Sequence, residues 1–143
     1  MNPAELHALL SKFDGRTTTS LTDIEVAHGH EDGYVNSLIF LIGNGETNQS
    51  DGATWLIKAW LEQNKPFSKA QSDQLIERLP LIDCWQSQLH ICQSIKNLTI
   101  SASEASHVCE WLHGLLRHEK PFLRAWSLNA LIVISNTHKV FQI

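Results

Sequence analysis

Two short stretches carry side chains whose types and spacing bear on chemistry. His28-Gly-His30-Glu31-Asp32 gathers two imidazoles and two carboxylates within five residues, all competent metal ligands. Zinc is normally held by three or four ligands drawn from separated segments, and no second His/Cys pair stands at ligand spacing elsewhere. Further along, Glu110, His113 and Arg117 recur at three- and four-residue intervals, with His107 close by. On a helix this sets Glu110 and His113 one turn apart, as an acid–base pair would be. An amphipathic helix needs a solvated polar face in any case, and that requirement accounts for the same residues. Neither group predicts a metal centre or a catalytic residue, and no cofactor is expected.

The three cysteines are Cys84, Cys92 and Cys109. An odd count without a CxxC pair points to reduced thiols and a cytoplasmic setting. Cys92 and Cys109 fall at apolar positions and read as small core hydrophobes. Gly43-Asn-Gly45 lacks the Lys and Ser/Thr of a phosphate loop, and no GxSxG or HExxH pattern is present. An enzyme is therefore unsupported, and the reading leans to a non-catalytic protein.

The elements that position these residues come from a chain of 143 residues and 16.1 kDa, the size of a single domain spanning 1–143. A hydrophobic fraction of 43% against 18% charged residues excludes a disordered chain. The net charge is −4, unevenly spread: residues 1–50 carry 2 basic and 7 acidic side chains, and residues 51–143 carry 9 and 8. Nucleic-acid binders draw most of their affinity from a basic excess, which this balance does not offer. The longest apolar runs, 38–42 and 130–134, have five residues each, far below the ~20 that span a bilayer. Met1-Asn-Pro-Ala-Glu5 has no basic or apolar leader character. No membrane partner is expected.

The hydrophobic periodicity is helical almost throughout, predicting roughly 60–70% helix against a globular average of about a third. Asn2-Pro3 caps a first helix that buries Leu6, Leu9, Leu10 and Phe13 before Gly15. Thr22 and Glu25 read as a capping box for a short helix ending near His28. The run 34–42 fits buried helix or strand, and helix is chosen because no other segment offers a strand partner. Residues 43–51 form a loop dense in turn formers. Asp51, Ser68 and Asp83 then open helices over about 52–63, 69–79 and 84–97, and Ser101 with Glu104 caps one running to about Arg117. A last helix, about 121–135, is apolar nearly all round.

That last helix carries a family resemblance. Lys120-Pro-Phe-Leu-Arg-Ala-Trp-Ser-Leu-Asn-Ala-Leu131 resembles the second helix of a HEAT repeat. Asp83-Cys-Trp-Gln-Ser-Gln-Leu-His-Ile-Cys92 stands 37 residues earlier as a looser copy, and Asp51-Gly-Ala-Thr-Trp-Leu-Ile-Lys58 another 32 before it. Such a period belongs to helical solenoids. The resemblance covers about 51–135, leaving 1–50 as an irregular helical segment. It implies an all-α fold, a short α–α superhelix of stacked antiparallel helix pairs with about seven helices, each second helix lining a concave face. An unrelated helical bundle would satisfy the same patterns. The resemblance also implies that Arg124 is structural, bonded to Asp83 or to a helix-end carbonyl.

The expected function is a protein–protein interaction or scaffold module that takes a protein or peptide on that concave face. The polar stripes of the second helices supply its binding residues: Lys58, with Thr54 and Glu62 beside it; Gln86, His90, Gln93 and Asn97; and Arg124 with Ser127. The alternative is a nucleic-acid-acting protein related to HEAT-like DNA glycosylases, whose grooves carry aromatic side chains. Here Trp55, Trp60, Trp85 and Trp126 fall at inward positions, with Trp111 beside one, and read first as core. A final solenoid helix this apolar must be covered. Its cover is the tail, with Val140, Phe141 and Ile143 still to bury, a second copy forming a homodimer through the C-terminal helix, or a different partner protein.

Overall fold

The computed structural model describes residues 1–44 and 46–138, and every regular element in it is helical. Helix accounts for 73% of the chain, with no strand among the described residues. There are eight α-helices there, rather than about seven.

Helix α1 (Pro3–Leu10) begins as its sequence predicts: the Asn2 side chain accepts from the Glu5 N–H at 2.9 Å, and Pro3 occupies the first turn. Helix α2 (Thr19–His28) begins earlier than expected, at Thr18 rather than Thr22. Once the helix has formed at Thr19, the Thr22 hydroxyl bonds back to the Thr18 carbonyl at 3.2 Å, so it does not act as a cap. The ambiguous run is helix α3 (Tyr34–Leu41), buried on nearly every turn.

The largest departure from expectation is at α4 (Thr47–Glu62). Most of the expected loop 43–51 is its first turn. Glu46 is the N-cap, and the Gln49 side chain accepts from the Glu46 N–H at 2.7 Å to close a capping box. Asp51 therefore caps nothing; it lies inside the helix and is 4% exposed. Helix α5 (Lys69–Arg78) starts from the expected Ser68 cap and runs into a 3₁₀ turn, Leu79–Leu81. Helix α6 (Trp85–Ser94) is capped at Cys84 rather than Asp83 and continues as a 3₁₀ turn, Ile95–Asn97. Helices α7 (Ala102–Leu115), with its Ser101/Glu104 capping box, and α8 (Pro121–His138) complete the described chain.

Helix α4 is the hub, packing against α1, α2, α3 and α6, and α6 in turn packs against α8. Helices α3, α5 and α7 touch in the same succession, and the pairs α3/α4 and α7/α8 are in contact. Close approach of α1 and α2 to α4 depends on Gly52: a Cβ there would stand 3.0 Å from Leu10 Cδ2 and 3.1 Å from Leu21 Cδ2. Leu6, Leu38, Leu56, Ile57, Leu75, Ile91, Leu112 and Leu131 are buried in one continuous core. At the far end α8 leaves Phe122, Leu128 and Ile132 more than two-fifths exposed. Val140, Phe141 and Ile143 lie outside the described residues.

Candidate functional site

Starting α4 at Thr47 puts Ser50, Asp51, Thr54 and Lys58 on consecutive turns of one side, toward α6. Capping α6 at Cys84 places Ser87 and His90 opposite them, one turn apart. The two sets meet in a buried polar seam. Ser87 Oγ donates to Asp51 Oδ1 at 2.5 Å, and the Cys84 thiol lies 2.9 Å from the same oxygen. Ser50 Oγ is 3.4 Å from Ser87 Oγ. One turn along, Thr54 Oγ1 and His90 Nδ1 are 2.9 Å apart, and the Thr54 hydroxyl also reaches the Asp51 carbonyl at 3.1 Å. Ser87 and Thr54 are fully buried.

Burial and charge set the protonation of this seam. The Cys84 thiol is pushed up by burial first and then by the Asp51 carboxylate, so it remains a thiol at neutral pH. His90 is pulled down to about 4, chiefly by burial, with Lys58 adding to the effect and Asp51 opposing it. The imidazole is therefore neutral.

Serine, histidine and aspartate are the residue types of a hydrolase, but their connections here differ. A nucleophilic serine needs its hydroxyl bonded to the base and open to substrate. Ser87 bonds to the carboxylate and is 0% exposed, while His90 bonds to Thr54. A thiolate nucleophile needs a lowered pKa, and that of Cys84 is raised. What this arrangement does chemically is hold two helices together, with one buried carboxylate neutralising the dipoles of a hydroxyl and a thiol.

The expected binding residues separate in the structure. Lys58, Gln86, Gln93 and Asn97 are partly exposed, and Lys58 forms an ion pair with Glu62. His90 is partly exposed like them, and its Nδ1 is also in contact with Thr54 Oγ1 in the seam. Ser127 is fully buried and donates to the Arg124 carbonyl at 2.8 Å, so it cannot meet a partner. Arg124 donates to the carbonyls of His118 and Glu119 at 2.7 and 3.2 Å. Neither expected acceptor is used: His118 and Glu119 lie in the turn between α7 and α8, beyond the helix end, and Asp83 is exposed.

His28 and Glu31 form a close ion pair through His28 Nδ1, which holds the Glu31 carboxyl below its usual range. Among the described residues no group of three or more His, Cys, Asp or Glu is arranged to hold a metal ion. Glu110 and His113 are exposed on α7, and Arg117 is exposed in the turn that follows it.

Sequence reasoning missed Asp51, Ser87, Cys84 and Ser50 as a group. The available signal was Glu46 with Gln49 three residues on, a capping-box spacing that moves the start of α4 back and brings Asp51 into register with Thr54 and Lys58. No family model, no curated protein and no solved structure matches this chain.

Proposed function

We propose that this chain is a non-catalytic binding module of HEAT-like architecture, taking a protein or peptide partner on the face shared by α4, α6 and α8. Support for the architecture comes from the order of contacts: α4 beside α6 beside α8 in one file, α3 beside α5 beside α7 in the other. The observation that carries the function is the make-up of the shared face. Trp55, Lys58 and Glu62 recur at helical spacing on α4, and Gln86, Leu89 and Gln93 recur on α6, all at least partly exposed. Phe122, Ala125 and Asn129 do the same on α8. Half-buried aromatic and aliphatic groups interspersed with amides and a paired charge resemble the composition of protein interfaces. Beneath them the Asp51 seam fixes the spacing of α4 and α6. Duplex phosphate would require an extended basic stripe, and Lys58 is already held by Glu62.

The test is affinity capture of partners with the parent protein and with Lys58→Glu/Gln93→Arg, both shown folded by circular dichroism. Partners retained at undiminished affinity by the variant would overturn the assignment of this face. We further propose that a second copy covers Leu128 and Ile132 of α8, both exposed. Light scattering at micromolar concentration should then report a dimer that Leu128→Glu/Ile132→Glu reduces to monomer.

A further inference from the structure

Between α5, with its trailing 3₁₀ turn, and α7 lies an open groove of about 600 Å³, none of whose lining residues belongs to α4, α6 or α8. Its floor is apolar. Ile76 and Leu79 are buried there, flanked by exposed Pro80 and by Trp111, which is half-buried against the core. Its walls carry three carboxylates, Glu77 from α5 and Glu104 and Glu110 from α7, with the exposed His107 imidazole between the latter two.

The charges along this groove are unevenly satisfied. Glu104 accepts from the Ser101 hydroxyl at 2.8 Å as part of its capping box. The two cations of α5 are both engaged elsewhere: Lys69 pairs with Asp73 at 3.1 Å, and Arg78 donates to the Ile42 carbonyl at 2.8 Å while lying over the Phe40 ring. Glu77 and Glu110 are exposed, and neither has an ion pair or hydrogen bond among the described residues. Two exposed carboxylates, one on α5 and one on α7, thus line the same apolar trough.

The geometry points to a docking groove for a basic amphipathic peptide segment of a partner protein. An apolar side chain of that segment fills the floor against Ile76, Leu79 and Trp111. Lysines or arginines on either side of it meet Glu77 and Glu110. A metal ion fits this arrangement poorly, because among the described residues no three His, Cys, Asp or Glu side chains are arranged to hold one; cations carried on an apolar chain fit it well. Surface carboxylates around an apolar anchor give specificity and faster association, and both decline as salt rises. The groove is distinct from the α4–α6–α8 face and does not depend on the reading of that face.

Fluorescence anisotropy with a labelled short peptide of lysines carrying two leucines one helical turn apart tests this on the full chain. Controls are the same peptide with serines in place of the leucines and one with glutamates in place of the lysines. The lysine–leucine peptide should bind in a salt-sensitive manner, with both controls at least about tenfold weaker. Glu77→Lys/Glu110→Lys should weaken binding by at least about tenfold with an unchanged circular dichroism spectrum. Amide and indole chemical shifts should move at Ile76, Leu79 and Trp111. Equal binding by the double variant, equal binding of either control peptide, or shifts confined to another face would overturn the proposal.

Discussion

Ser87 Oγ sits 2.5 Å from Asp51 Oδ1, joining two fully interior positions of α4 and α6 that are 36 residues apart in sequence. With the Cys84 thiol on the same oxygen, the carboxylate organises the interface between the two helices. Asp51→Ala would remove the carboxylate that accepts from the buried Ser87 hydroxyl and the part-buried Cys84 thiol, leaving them only the longer Ser50–Ser87 contact at 3.4 Å and the Cys84–Ser87 contact at 3.1 Å. It should destabilise the protein by about 2–3 kcal/mol, read from the midpoint of urea unfolding. Asp51→Asn keeps an acceptor oxygen and should cost less. A variant as stable as the parent would show that the seam does not hold the helices.

His90 makes the same interface sensitive to pH. Its pKa is about 4 in the folded chain against 6.5 for the free side chain. Between those values the unfolded chain binds the extra proton, so acidification favours unfolding. The stability associated with a neutral His90 is therefore complete above pH 6.5 and is lost as the pH falls toward 4. The displacement corresponds to about 3 kcal/mol as an upper figure. Unfolding curves at about pH 7 and about pH 4.5 should diverge less for His90→Gln than for the parent.

Cys84 is more exposed than Cys92 or Cys109 yet remains protonated, through burial and the neighbouring Asp51 carboxylate. Burial pushes Cys92 up to about 12. Alkylation of the native protein by iodoacetamide, followed by mass spectrometry, should be slow at all three. Asp51→Asn removes the carboxylate's contribution and should accelerate labelling at Cys84 selectively. Unchanged labelling in that variant would show that the carboxylate does not govern the thiol.

Gly43 has a φ of +79°, and a Cβ at this position would lie 2.7 Å from Leu81 Cβ. Conformation and contact both oppose a side chain there. Gly43→Ala should lower stability by about 1–3 kcal/mol from the backbone strain alone, measured as a shift in melting temperature.

Arg124 ties the turn between α7 and α8 through the His118 and Glu119 carbonyls. Loss of these charged hydrogen bonds in Arg124→Ala should cost about 1–2 kcal/mol. A melting temperature that does not move would show that the guanidinium is dispensable to that turn.

Several elements were legible before any tertiary information because their signals are local. The Asn2-Pro3 start, the Ser68 cap and the Ser101/Glu104 box each satisfy orphan N–H groups within one turn, so neighbouring residues suffice to declare them. The helical state of Tyr34–Leu41 followed from the lack of any strand partner elsewhere. A structural role for Arg124 was within reach, but its acceptors, five and six residues away, are carbonyls of the α7–α8 turn rather than a helix end or Asp83.

The seam was not legible, and the reason is competition between two local signals. Asp51 followed by Gly52 after a polar run reads as a helix cap, and Thr47-Asn-Gln-Ser50 reads as loop, because short polar side chains favour both. Only packing against α6 decides for a buried carboxylate inside α4, since burying Asp51 requires donors that Cys84 and Ser87 supply from 33 and 36 residues away. The pairing of His90 with Thr54, the burial of Ser127 and the groove between α5 and α7 have the same origin. Sequence periodicity determined which residues share a face of each helix. Which of those faces meets protein and which meets water was decided by the arrangement of helices distant in the chain, where the cost of burying an unpaired polar group selects among alternatives that are equivalent locally.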